Sequence, residues 1–541
     1  MTEIVFKPNG TRPVDLVDNV KLRTNPLGGG YEKLDIRAGR GLPDHPRQNI
    51  ELMHDWIMDC THNHPQCQKK GDVLLPKRVI AVGTKEEPSV YLYESDNERA
   101  EDTIEERKKR IEWSYLSKTF QESIALTRLL GLRYLWIDSL CIIQDDTEDW
   151  QIESSKMASI YEGAYVTIAA NNTSGGLLDG NELRPTRTVN IQTQSPNGHT
   201  VDLLLRSPIQ HENFYAASLE GGMASEEDYP LLQRAWCFQE RLLATRVLQF
   251  TDTEVVFECK AGQDCECGSI NHAIGNPIKS FFGRLLADDF QPVGVAEDIW
   301  EAWTTILRPY ITKDLTVSTD ILPALAGVAA RMQRRELGQY IAGLWQKELP
   351  ISLFWFADIL DVKHPSVQTA PTFSWAALAG TTKVKELTWP YMESHDDSKQ
   401  TFKITDFKCS VSGLNPYGTV ASASVELHGF TTMVKLKAGR RVRGRNGLLK
   451  SAAREEPVMV FMDTCPATTL DIDGTFTCFF GFTWSEDDFS TRPPGIRHCV
   501  SALLLRPSSE PNVYERVGCI PQLNNNPCWL DDAEERNVTI I

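Results

Sequence analysis

Between residues 117 and 170 the spacing of apolar side chains changes period several times. Phe120, Ile124, Thr127 and Leu130 recur at helical intervals after Ser117, a residue suited to cap a helix, and Gly131 stands where a helix C-terminus takes φ > 0. Residues 134–137 (Tyr-Leu-Trp-Ile) form a short apolar run of strand length. Trp150, Met157, Ile160, Tyr161 and Ala164 then fall on one face of a helix over 149–163, and residues 165–169 make a second strand. Helix–strand–helix–strand with short links predicts an α/β sheet with parallel pairing and right-handed crossovers. Polar groups follow both strand ends directly, where such sheets collect ligands: Asp138 and Ser139 after the first, Asn171 and Asn172 in the loop 171–176 after the second.

The same reading divides the rest of the chain. Residues 1–48, rich in Gly, Pro, Arg and Asp, read as a poorly ordered lead-in. Residues 50–58 read as a helix with Leu52, Trp56 and Ile57 on one side, and 74–82 with 90–93 as two strands. Residues 180–230 are irregular, with a strand pair and a long excursion. A helix over 233–244 precedes strands at 247–250 and 254–259. Residues 288–346 are expected to be mostly helical, with a stripe of Trp300, Trp303, Ile306 and Leu307. Beyond 400 the period becomes two, giving strands at 421–427, 458–462, 476–482, 500–505 and 513–518. The expected organisation is therefore a lead-in (1–48), an α/β domain with an N-terminal helix and strand pair (49–260), a mostly helical middle region (261–400) and a β-rich C-terminal domain (401–541).

Length agrees, since 541 residues exceed what one core supports. The 56 basic and 73 acidic side chains leave a net charge of −17, a field that repels phosphate backbones and disfavours a nucleic-acid partner. No basic segment followed by an apolar core opens the chain, and no window reaches the ~18 apolar residues of a membrane span. Thirteen cysteines, an odd number irregularly spread, suit reduced thiols in cytosol or nucleus, and a cytoplasmic location is expected.

Several residues are candidates for chemistry. Asp138 either caps the turn after its strand or faces a ligand crevice. Cys141 has no histidine at a telling offset and reads as a small buried thiol, while Gln144, Asp145, Asp146 and Asp149 read as capping groups at a helix N-terminus. Glu240 lies four residues after Trp236 and three before Leu243, so it shares an apolar helix face. An ionisable group there must be paired, with Arg234 or Arg241 as the structural alternative, or shifted in pKa. Cys60, His62, His64 and Cys67 have the ligand types and spacing of half a structural zinc site, and Cys259, Cys265 and Cys267 offer the other half; unligated thiols are the alternative. No phosphate-binding loop, dinucleotide fingerprint, nucleophile elbow or zincin motif is present.

Taken together, residues 116–124, 133–145, the series Trp150, Glu153, Met157, Ile160, Tyr161, Ala164 and 167–170, and the blocks 234–243, 246–250 and 257–259 resemble the fungal heterokaryon incompatibility (HET) domain family. Residues 315–327, 342–345 and 373–376 agree. The resemblance implies an intracellular fungal protein of non-self recognition and programmed cell death, signalling with another incompatibility protein or by self-assembly. It also implies an α/β fold likened to Toll/interleukin-receptor (TIR) domains. Such a fold admits a second function, NAD glycohydrolysis, with Glu240 stabilising an oxocarbenium-like ribosyl centre and Asp138, Ser139, Asn171, Asn172 and Arg241 lining the NAD crevice. A decayed member without activity is a third reading. One block departs from the family: residues 94–103 are polar where relatives carry Tyr-x-x-Leu-Ser-Tyr-x-Trp-Gly, so a TIR-like parallel sheet lacking its first core strand is expected. Ser117 also stands where relatives commonly have Pro.

Overall fold

The computed structural model describes residues 3–6, 35–38, 45–68, 75–84, 87–95, 109–171, 176–178, 189–194, 200–206, 211, 229–268, 277–286, 299–333, 337–362, 369–379, 382–390, 398–439, 445–451, 455–463, 471–488, 495–524 and 529–541. The chain forms two compact units, one of Met1–Gln233 with Cys237–Phe290 and one of Arg234–Trp236 with Gln291–Ile541.

The first unit holds strands β1 (Glu3–Phe6), β2 (Asp35–Ala38), β3 (Arg78–Ala81), β4 (Tyr91–Glu94), β5 (Tyr134–Leu135), β6 (Thr167–Ala170), β7 (Val189–Gln194), β8 (Thr200–Arg206), β9 (Arg246–Phe250), β10 (Val255–Cys259) and β11 (Gln263–Cys265). Its main helices are α1 (Ile50–Asn63), α2 (Lys118–Leu129), α3 (Thr147–Gly163), α4 (Ala235–Leu243) and α5 (Pro277–Leu285). The strands make three small sheets, in the orders β2-β1-β8-β7, β4-β3-β5 and β11-β10-β9-β6.

This arrangement is mixed α/β but differs from the single parallel sheet expected. β5 pairs antiparallel with β3, whereas β6 pairs parallel with β9 in another sheet. An apolar run specifies burial but not its partner, and β5 at two residues offers little ladder to extend. The lead-in also differs: β1 and β2 pair with each other and β1 with β8. The polar block at 94–103 lies outside the described residues beyond Ser95.

Local signals explain several boundaries. Ser117 Oγ accepts from the backbone of Phe120 at 3.2 Å to cap α2, and Gly131 takes φ +71° beyond its end. Asp146 Oδ1 caps α3, accepting from the backbone of Glu148 at 2.8 Å and Asp149 at 3.1 Å. Two expectations on α3 reverse. Trp150 is exposed, while Asp149 is buried against Arg78 and Lys77 instead of serving as a cap.

Every position of β9 and β10 is buried, so their sheet is covered on both faces. Leu248, Phe250, Val255, Phe257 and Cys259 pack with Met53, Trp56, Ile57 and Cys60 of α1. Trp56 stacks on Phe257 at 5.9 Å, and its indole donates to Asp264 at 2.9 Å. Gln249 and Glu258 alternate to the opposite face.

In the second unit the expected stripe is present: Trp300, Trp303, Ile306 and Leu307 of α6 (Ile299–Tyr310) are all buried. Residues 261–400 are less helical than expected, containing β11 and the hairpins Tyr340–Ile341/Leu344–Trp345 and Phe356–Val362/Thr382–Thr388. The first turns through Ala342 (φ +49°) and Gly343 (φ +93°), where a Cβ would meet the Trp375 indole at 2.9 Å. The C-terminal part is β-rich, as the period-two pattern requires. Strand pairings run from Asp471–Asp488 through Gly495–Pro507, Val513–Asn524, Glu455–Met462, Arg445–Lys450 and Val420–Gly439, which pairs back onto Asp471–Asp488. The ring closes as an antiparallel barrel filled by Val434, Leu436, Leu449, Val460, Phe476, Phe480, Val500, Ala502, Leu504 and Trp529.

No helix among the described residues is long and apolar enough to cross a membrane.

Candidate functional site

The loop following β5 is held from β3. Arg78 is buried, its Nε donates to the carbonyl of Cys141 at 2.6 Å, and its Nη2 pairs with Asp149. Asp149 also accepts from the backbone of Ile143 at 3.0 Å. One guanidinium and one carboxylate thus fix residues 138–149 against the sheet. Burial pushes the Cys141 thiol up to about 12, which leaves it a protonated packing group, as its lack of a histidine partner suggested.

The six residues expected to line one crevice separate into two groups. Asp138 and Glu240 come together around Tyr161 of α3. Glu240 hydrogen-bonds the buried Tyr161 phenol, and both acids bear on it electrostatically; burial first, then these charges, push its pKa well up. The Tyr161 ring stands edge-on to Trp136 at 5.8 Å. Asp138 and Ser139 are exposed, and the Asp138 carboxylate accepts from the backbone of Ser139 at 2.7 Å.

Asn171 and Arg241 belong to a different, buried network. Arg241 Nε donates to Glu258 at 2.7 Å, Gln249 donates to Glu258 at 3.0 Å, Gln263 donates to it at 2.5 Å, and Asn171 donates to Gln249 at 2.5 Å. Glu258 is fully buried, and Arg241 outweighs the desolvation of its carboxyl to hold its pKa down. Lys279 of α5 is equally buried and donates to the carbonyls of Arg241 and Ala244 at the C-terminal end of α4. This network ties α4 to β6, β9, β10 and β11. Arg241 is thus paired with Glu258, and Asn172 lies outside the described residues. Glu258 and Tyr161 were missed by sequence reasoning. The only signal for Glu258 was one acid inside an otherwise apolar strand.

The cysteines and histidines assemble into two clusters instead of one shared site. Cys60, His64, Cys67 and Cys259 form the first; His211, Glu254, Cys265 and Cys267 form the second, the ligand atoms of each lying within 4.8 Å of one another. The pairing of Cys265 and Cys267 with the Cys60 group is thereby replaced, because they sit at the other end of β10 from Cys259. His62 takes no part; its Nδ1 lies 2.7 Å from the Met58 carbonyl within α1. In the first cluster, bonds from Cys259 and Cys60 pull the Cys67 thiol down while the same shared bonds push Cys60 up. In the second, burial lifts Glu254. Burial opposes the charge on His211, but Cys267 and Glu254 hold its pKa above the usual histidine range. His211 and Glu254 carried no sequence signal, being a lone histidine in an irregular stretch and a lone acid at a strand start.

Residues 91–240, from β4 into α4, match the model of the family Heterokaryon incompatibility protein (HET). Residues 91–240 thus carry a heterokaryon incompatibility domain. The match begins at Tyr91, so β4, hydrogen-bonded to β3, falls inside the HET domain, as do the Arg78-clamped loop and the Asp138–Tyr161–Glu240 group. Apart from Asn171, the Glu258 network lies outside the matched residues, as do most ligands of both clusters. No curated protein and no solved structure matches the chain, so the likeness to TIR domains has no structural neighbour behind it.

Proposed function

We propose that this protein acts in fungal heterokaryon incompatibility as a cytoplasmic signalling protein, its HET domain triggering programmed cell death through self-assembly or through another incompatibility protein. The observation that carries this reading is the HET match over 91–240. A signalling role is supported by exposed apolar side chains within that match, among them Tyr93, Trp113, Tyr115, Leu129 and Trp150, with Tyr115 87% exposed. The full chain over-expressed in a filamentous fungus is expected to arrest growth and kill cells, and Arg78→Ala, which frees the loop after β5, is expected to abolish that. Unimpaired growth of cells accumulating the folded wild-type chain removes the reading. Nicotinamide release from NAD by the purified chain, lost in Glu240→Gln, would replace it with the enzymatic one.

A further inference from the structure

We infer that the chain holds two tetrahedral zinc ions, one at each end of β10. Cys60, His64, Cys67 and Cys259 bind one; His211, Glu254, Cys265 and Cys267 bind the other.

The spacing of the donor atoms is the first argument. Around zinc with sulfur at ~2.3 Å and nitrogen at ~2.0 Å, neighbouring ligands of a tetrahedron stand about 3.5–3.8 Å apart. Cys259 Sγ lies 3.3 Å from His64 Nδ1, Cys265 Sγ lies 3.3 Å from Cys267 Sγ, and Cys267 Sγ lies 3.5 Å from His211 Nε2. These are the edges of ligand shells slightly contracted. They are far from a disulfide, whose sulfurs approach to about 2.05 Å. None of the five cysteines is in a disulfide, and all are buried. Two thiolates with an imidazole and a third thiolate or carboxylate, in four-fold sets, select zinc over harder cations.

The groups behind the ligands are the second argument. Arg246, register partner of Cys259 across β9 and β10, donates from Nε to Cys60 Sγ at 3.2 Å. The backbone of Ala261 donates to Cys259 Sγ at 3.3 Å. Sulfur atoms that accept from a guanidinium and a backbone amide are arranged as thiolates. Three thiolates and a neutral imidazole around Zn²⁺ carry one net negative charge, which Arg246 offsets. Asp59 Oδ2 lies 3.8 Å from His64 Nε2, so the carboxylate stands behind the ring nitrogen turned away from Cys259. In the second set Glu254 Oε2 accepts from the backbone of Cys267 at 2.9 Å, while Oε1 meets His211 Nε2 at 2.5 Å. One oxygen is fixed by the hairpin and the other is turned toward the ligands.

The test uses the full-length, tag-free protein, reconstituted with Zn²⁺ under reducing conditions and dialysed. Elemental analysis is expected to find two zinc ions per chain. Cys67→Ala and Cys265→Ala should each retain one, the double variant none, and the control Cys409→Ser two. Should a variant fail to fold, the wild-type chain still decides the question. Cobalt in place of zinc should give the intense visible bands and near-ultraviolet charge transfer of tetrahedral thiolate coordination. A chelator should expose five further thiols to a labelling reagent. Fewer than two ions in the wild-type chain, an octahedral cobalt spectrum, or two ions retained in Cys67→Ala would each overturn the inference.

Discussion

The two units of this chain solve the problem of cohesion in opposite ways. The C-terminal barrel is built from long strands, up to 20 residues in Val420–Gly439, and its interior is a continuous apolar filling. The HET-bearing unit has strands of two to seven residues in three small sheets. Between them it buries Arg78 with Asp149, the Glu258 network with Lys279, and two sets of thiols and imidazoles. Apolar area is tolerant, since it scales with surface and accepts substitutions of similar volume. Buried polar partners are not, because each loss strands the group left behind. The HET-bearing unit should therefore fail at single named atoms, and the barrel by accumulated loss of packing.

The largest expected effect follows from metal removal. Apparent zinc-binding energies of about 10–16 kcal/mol in small structural sites imply that a chelator abolishes hydrogen-exchange protection across α1 and β9–β11. Protection in the barrel strands should be untouched, and equal loss in both units would dissolve the contrast. Next come two substitutions of similar cost but different reach. Asp149→Ala leaves Arg78 buried without its carboxylate and should cost about 3–5 kcal/mol, read as lost protection in β3 and the loop after β5. Trp529→Ala opens a cavity in the barrel and should also cost about 3–5 kcal/mol, confined to the second unit.

A smaller effect concerns pH. Burial, against the attraction of Glu258, pulls the Lys279 ammonium down to about 7, from an ordinary value of ~10.4. Between those values the unfolded chain binds a proton that the folded chain does not. Stability of the first unit should thus rise with pH across that window, by at most about 1.4 kcal/mol per pH unit. Denaturant titrations at a series of pH values should show the slope in the wild-type chain and a shallower one in Lys279→Met. The smallest is Ser117→Ala, which removes the cap of α2 and should cost about 1 kcal/mol, with fraying seen at the amides of Thr119 and Phe120.

The two units also differ in how much of them can be read from the sequence. In the barrel, alternation at 476–482 and 500–505 marks both strand and inward face, because period two encodes both together. Its closure is invisible, since it depends on the pairing of Thr431–Gly439 with Asp471–Phe479, which no local pattern specifies. In the HET-bearing unit the caps at Ser117 and Asp146 and the turn at Gly131 are legible as local chemistry. The separation of β5 and β6 into different sheets is not. At the candidate site, Glu240 was marked by its place on an apolar helix face, and the structure supplies Tyr161 as a partner. Cys60, His64 and Cys67 were marked by close spacing. His211 was not, because its companions stand 43 residues and more away along the chain.

The distance along the chain between Cys67 and Cys259 has a consequence in time. A ribosome adding about 5–20 residues per second needs on the order of 10–40 s to make the intervening segment. Throughout that interval Cys60 and Cys67 have left the ribosome without the strand that completes their set. The nascent protein therefore presents two thiols to the cell before it has a fold to enclose them, and oxidants or stray metal ions meet it first in that state.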